Sequence, residues 1–296
     1  MNRVARAAAG AAFSAVLLFF LVRQLARNAP QVGPLILAMR PGWAILSLVL
    51  LAAAYLGYGL IWRAILHELG GRIDGLAGWR VWALSQLGKY VPGKIWGALG
   101  RVVLLGRSGV DAAPATLSVA YELLLFVLSG LLFAGAVSPA WSPLGLAGVG
   151  ALGLLVAFLP LASRGLSRLA GYPAPPFRAS AVLAVVAAYE LTWLLTGAAF
   201  AAFLFAIHPV PAPRLAGAAG AFVLSWVAGS IVFVAPAGLG VREGVLLAAL
   251  SPVVPHEVAL LAVAGSRVWT TAVELAAVGL ALLAQDRTST TAATEK

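Results

Sequence analysis

The 296-residue sequence contains no cysteine. That absence excludes disulfides, thiolate-bound metals, iron–sulfur clusters and cysteine nucleophiles, and it says nothing about compartment. Charge is scarce too: Lys, Arg, Asp and Glu make up 10% of the chain, against about 25% in an ordinary soluble domain. No stretch is polar enough for a separate water-soluble domain of about 100 residues. Histidine occurs at His67, His208 and His256 only. His67-Glu68 and His256-Glu257 begin like a zinc-protease helix, but the second histidine positions hold Gly71 and Leu260. There is no G-x-S-x-G elbow either. Metal, cofactor and catalytic motifs are all missing, so the expectation is a protein that is not an enzyme and needs neither metal nor cofactor.

What is abundant points to a membrane. Apolar residues form 62% of the chain, with 32 Gly, nine Trp and a mean hydropathy of +0.98. The net charge of +10 sits between apolar runs, where it reads as topology signal and lipid contact rather than as a nucleic-acid surface. Nucleic acid is not an expected partner; membrane lipids are. Apolar runs at residues 7–22, 41–62, 112–137, 144–163, 179–207 and 258–284 read as six full spans. The spacing predicts one transmembrane domain over residues 1–285, followed by a polar, disordered cytoplasmic tail over residues 286–296.

Two regions fit no ordinary span. Residues 76–110 are broken at GKYVPGK, and residues 215–254 at APAGLGVREG. Each reads as two apolar pieces of roughly a dozen residues, a length suited to re-entrant half-helices that line a watery cavity. Pro92 precedes Glu122 by 30 residues and Pro236 precedes Arg267 by 31, the pattern of an internal repeat with binding at its interface. With both breaks re-entrant, 14 of the 20 Lys and Arg fall on the side of the N terminus. The positive-inside rule then places both termini in the cytoplasm, in an inner cell membrane, with the halves as inverted repeats.

Charges inside apolar spans cost roughly 2.5 to 3.5 kcal/mol each, and so persist where they face a polar interior. Glu122, Glu190, Arg267 and Glu274 are the candidates, either as transport pathway or as structural ion pairs. Glu122 and Arg267 hold matching places after the two breaks, which suggests a pair across the repeat interface. The segment at residues 88–95 has phosphate-loop spacing, but Ile95 stands where Ser or Thr would hold magnesium and Pro92 removes a donor, so a nucleotide site is excluded. Lys89, Lys94 and Arg101 instead suggest a clamp for lipid phosphate. In the second break, Gly238 and Gly240 permit a tight turn, and Arg242 and Glu243 head the next half-helix.

LGKYVPGKIWGALGR at residues 87–101, the AYELL span after it, and VAPAGLGVREG at residues 234–244 make the chain resemble the flippase-like family built on the transmembrane region of lysylphosphatidylglycerol synthase. The resemblance covers nearly the whole chain. It points to Lys89, Tyr90, Pro92, Gly93, Lys94 and Arg101, and to Pro236, Gly238, Gly240, Arg242 and Glu243. It implies an all-α membrane bundle that moves a polar or phosphate-bearing lipid between leaflets. Two other readings stay open: an intramembrane enzyme acting on a lipid-linked sugar or phosphate, and a lipid-binding scaffold for a separate lipid-modifying enzyme. The chain ends shortly after Ala284, so lysylphosphatidylglycerol synthesis itself is not expected.

Overall fold

The computed structural model describes residues 29–90, 95–170, 177–232 and 235–294, and these hold helices and no strand. The proposed first span at residues 7–22, and Pro92, Gly93 and Lys94 in the first break, lie outside the described residues.

A short helix α1 (Ala29–Leu37) leads into α2 (Pro41–Glu68), which starts on Pro41, whose fixed φ suits a first helical position. Helix α3 (Gly75–Ser85) is capped by Asp74, whose carboxylate accepts the Leu76 N–H at 3.1 Å. The N–H groups of Ala77, Leu76 and Gly75 hold that carboxyl below its usual range. A 3-10 turn (Gln86–Tyr90) follows, then α4 (Ile95–Gly106), α5 (Ala112–Val137), α6 (Ser142–Ala170), α7 (Ala179–Ile207) and α8 (Ala212–Ile231). A third 3-10 turn (Pro236–Gly238), after a short one at Pro139–Trp141, leads to α9 (Val241–Leu250) and α10 (His256–Thr294).

Among the described residues six helices are long and apolar enough to cross a membrane. They are α2, α5, α6, α7, α8 and α10. The outward surface is apolar, with Leu146 and Val268 exposed at 72% and 74%, which suits hydrocarbon and not water. Five of the six spans expected from the sequence are among them, the one at residues 7–22 lying outside the described residues, and α8 is an addition. Helix α8 has 20 residues rather than roughly a dozen, and at 1.5 Å per residue it reaches about 30 Å, the thickness of the bilayer core. Its Ala- and Gly-rich run packs closely enough to keep the helix intact as far as Ile231. The second break therefore joins one full-length helix to one short helix, unlike the first, which joins two short ones. At the C-terminal end the helix runs on to Thr294, beyond the apolar limit at Ala284 and through most of the segment expected to be a disordered tail.

The core is aromatic, and α5 carries its polar anchors. Trp62 of α2 donates to Ser118 at 3.1 Å and Trp193 of α7 donates to Ser129 at 3.0 Å. Trp82 of α3 donates to Glu122 at 2.8 Å. Ser118, Glu122 and Ser129 share one face of α5, and each accepts one indole N–H. Buried tryptophans need such acceptors, so these bonds fix where α2, α3 and α7 meet α5.

The first break closes on two glycines. A Cβ added at Gly88 would lie 2.3 Å from the backbone nitrogen of Gly97 and 2.4 Å from its Cα. Backbone cannot yield as a side-chain tip does. Gly88→Ala is therefore expected to pry the turn from α4 and to cost roughly 1–3 kcal/mol or more, read as a lowered midpoint of thermal unfolding in detergent. An unchanged midpoint would mean that the two segments do not touch.

Candidate functional site

The 3-10 turns of the two breaks meet each other. Beside them is a cavity of about 340 Å³ that extends between α2, α4, α5 and α8. Its wall is largely aromatic: Tyr55, Tyr58, Trp82, Phe126, Tyr189 and Trp226. The Tyr58 ring stacks near parallel to both Trp82 and Trp226, with centroids 6.4 and 6.2 Å away. The Tyr58 hydroxyl bonds Thr196 at 2.9 Å, and the Tyr55 hydroxyl donates to Glu274. Both phenols thus have partners in the surrounding helices.

The charged residues on the wall are Lys89, Arg101, Glu122 and Arg242. Arg101 forms an ion pair with Glu122, also donates to Ser85 at 3.0 Å, and lies 4.7 Å over the Trp62 ring. Lys89 meets Glu274 at 2.5 Å, and the Tyr55 and Tyr90 hydroxyls donate to the same carboxylate. Glu274 is 5% exposed, so its charge persists because three donors, one of them charged, surround it. One cluster thereby fastens the first break to the last span.

Glu243 pairs with Arg267, and its other oxygen accepts the Gly240 N–H at 2.7 Å. Arg267 also donates to the carbonyl of Ala237 at 3.1 Å. Ala237 has φ 49°, left-handed for a residue with a Cβ, a conformation that costs roughly 1–2 kcal/mol. Arg267 holds that turn in place.

The expected pair of Glu122 with Arg267 does not form. Each charge is satisfied within its own half, Arg101 with Glu122 and Glu243 with Arg267. The polarity is reversed between halves: the short helix carries the base in the first and the acid in the second. The link that does join the halves is Lys89 with Glu274. The expected phosphate clamp also changes, because Lys89 and Arg101 are each neutralised by a carboxylate. Glu190 does not line the cavity; it is half-buried on α7, with Oε1 unbonded.

That leaves Arg242. No carboxylate among the described residues forms an ion pair with it. Its guanidinium lies 4.4 Å over the Trp226 ring. A Cβ on Gly229 would meet its Cγ at 2.4 Å, and one on Gly238 would meet its Cδ and Cγ at 3.1 Å. The two glycines make a slot for the arginine stem. Gly238 additionally has φ 70° and Gly240 φ 81°, turns that a residue with a Cβ adopts only under strain. Among the residues the sequence reading missed, the aromatic wall had a signal: Tyr55 and Tyr58, Trp79 and Trp82, Tyr189 and Trp193, and Phe222 and Trp226 each recur at helical spacing.

These features define an all-helical, multi-pass membrane protein with a charged cavity between two broken segments. The chain matches the family of the Lysylphosphatidylglycerol synthase TM region over residues 7–278 and belongs to it. That family links it to a membrane domain of lipid metabolism or transport. No curated protein matches the chain.

Proposed function

We propose that the protein is a lipid translocase of the cytoplasmic membrane, which carries a phosphate-bearing headgroup through the cavity while the acyl chains stay in the bilayer. The observation that carries this reading is Arg242, a cation with no ion-pair partner among the described residues, on the wall of a cavity bounded by two chain breaks. A half-buried guanidinium on a cavity wall attracts a counter-charge, and its fork suits phosphate oxygens. The first turn of α9, which holds Arg242, adds N–H groups without helical acceptors and a favourable dipole end. Glu122 and Glu243, the carboxylates considered for acid or base chemistry, are each held by an arginine. That suits fixed charge better than proton transfer.

The test is a leaflet-resolved assay in reconstituted vesicles with fluorescent or reducible phospholipid. The unmodified protein is expected to move phospholipid between leaflets, and Arg242→Gln to lower the rate at least roughly tenfold at normal stability. An equal rate in vesicles without protein would remove the translocase reading. A chemically altered lipid would favour the enzyme.

A further inference from the structure

We infer that the cavity selects a headgroup with one net negative charge and no ammonium group: a phosphodiester bearing an uncharged polyol or sugar. This rests on the translocase reading for its physiological meaning, but it is an inference about binding and stands on the charges of the wall.

Three ion pairs around the cavity cancel internally: Arg101 with Glu122, Lys89 with Glu274, and Arg267 with Glu243. Among the described residues Arg242 remains, so their charges around the cavity sum to one positive charge. A phosphodiester supplies one negative charge and neutralises it. A phosphomonoester brings up to two, and the second has no counterpart among the described residues.

A cationic group fares worse. Glu122 is the acid on the cavity wall, and it already accepts from Arg101 and from the Trp82 indole. An incoming ammonium would have to break that pair or sit unpaired near Arg242, and either costs several kcal/mol in a desolvated site. The Trp226 face, the ring beside Arg242 on this wall, is already taken by that cation. A lysyl-bearing headgroup, with two ammonium groups, is therefore the wrong sign for this wall, although the family takes its description from the synthase of such a lipid.

The rest of the wall suits hydroxyl-bearing carbon. The rings of Tyr55, Tyr58, Trp82, Phe126 and Tyr189 present apolar surface on which a glycerol or sugar can pack. A volume of about 340 Å³ is at the low end for small-molecule sites, enough for a headgroup and too little for two acyl chains.

The experiment measures binding to the intact protein in detergent, by thermal shift and by native mass spectrometry, across four probes. Phosphatidylglycerol, phosphatidylethanolamine, lysylphosphatidylglycerol and chain-free glycerophosphoglycerol differ in charge or in acyl chains. The expected order puts phosphatidylglycerol first, roughly tenfold or more ahead of the zwitterionic and cationic lipids. Equal or tighter binding of either of those lipids overturns the inference. Glycerophosphoglycerol is expected to bind much more weakly, and equal binding would assign the cavity to a soluble phosphate ester and overturn the lipid part. Arg242→Gln should abolish the preference, and Arg242→Lys should keep part of it by keeping the charge. A preference that survives Arg242→Gln in a folded protein also overturns the inference. If Arg242→Gln does not fold, the lipid series on the unmodified protein decides. Failure of the two readings is distinguishable: selective binding without movement in vesicles removes the translocase, whereas equal movement of all headgroups removes the selectivity alone.

Discussion

Glu122→Gln is expected to destabilise the protein by about 3–5 kcal/mol, the usual consequence of stripping one partner from a buried ion pair. The side chains of Arg101 and Glu122 are 6% and 17% exposed, so little water is at hand to replace the lost carboxylate. Thermal unfolding in detergent should show the midpoint falling by roughly 5–10 °C. The double substitution Arg101→Gln with Glu122→Gln should lose less than the sum of the single ones, with a coupling of about 1–3 kcal/mol. A second cycle gives the contrast. Glu122→Gln and Arg267→Gln should be additive to within about 0.5 kcal/mol, because these residues do not touch. Strong coupling in the second cycle and none in the first would mean that Glu122 and Arg267 pair after all.

Glu274→Gln is expected to change which anion the cavity prefers. Lys89 then loses its carboxylate, and the uncompensated charge on the wall rises from one to two. Phosphatidic acid, a monoester able to carry two negative charges, should gain affinity relative to phosphatidylglycerol by roughly tenfold. Lys89→Gln works in the opposite direction, since Glu274 then stands unneutralised near Arg242 and anion binding of every kind should weaken. Both variants will be less stable, because Glu274 ties the first break to α10 through Lys89, Tyr55 and Tyr90. Selectivity is a ratio within one variant and is unaffected by that loss. Shifts of the same sign in the two variants would show that Lys89 and Glu274 do not set the charge of the cavity.

The sequence made the helices and the breaks legible because both are local. Long runs without charge, and Pro with Gly at residues 88–93 and 235–240, follow from what a backbone can do in hydrocarbon. The identity of the buried charges was legible too, since an ionisable residue in an apolar run is costly wherever it lies. Their partners were not. Matching positions after the two breaks suggested Glu122 with Arg267, but position along a repeat says nothing of sign, and the halves carry their charges in opposite order. The length of α8 was hidden by composition: a Gly- and Ala-rich run reads as weak helix in isolation, while close packing in a bundle sustains it. Arg242 stood out in the sequence as one basic residue among several. Only the pairing of Lys89 and Arg101 with carboxylates leaves it as the cation still to be matched among the described residues of the cavity wall.

The glycine slot around Arg242 bears on kinetics as much as on affinity. An arginine side chain carries about 2 kcal/mol of rotamer entropy, and here Gly229, Gly238 and the Trp226 ring have already removed much of it. An anion arriving in the cavity meets donors that need no further ordering, which favours rapid capture. Release is the harder half of a transport cycle for a binding group that cannot swing away. It has to come from the surroundings, and the strained peptide of Ala237, held by Arg267 on one side and abutting the cavity on the other, is where that wall is closest to yielding.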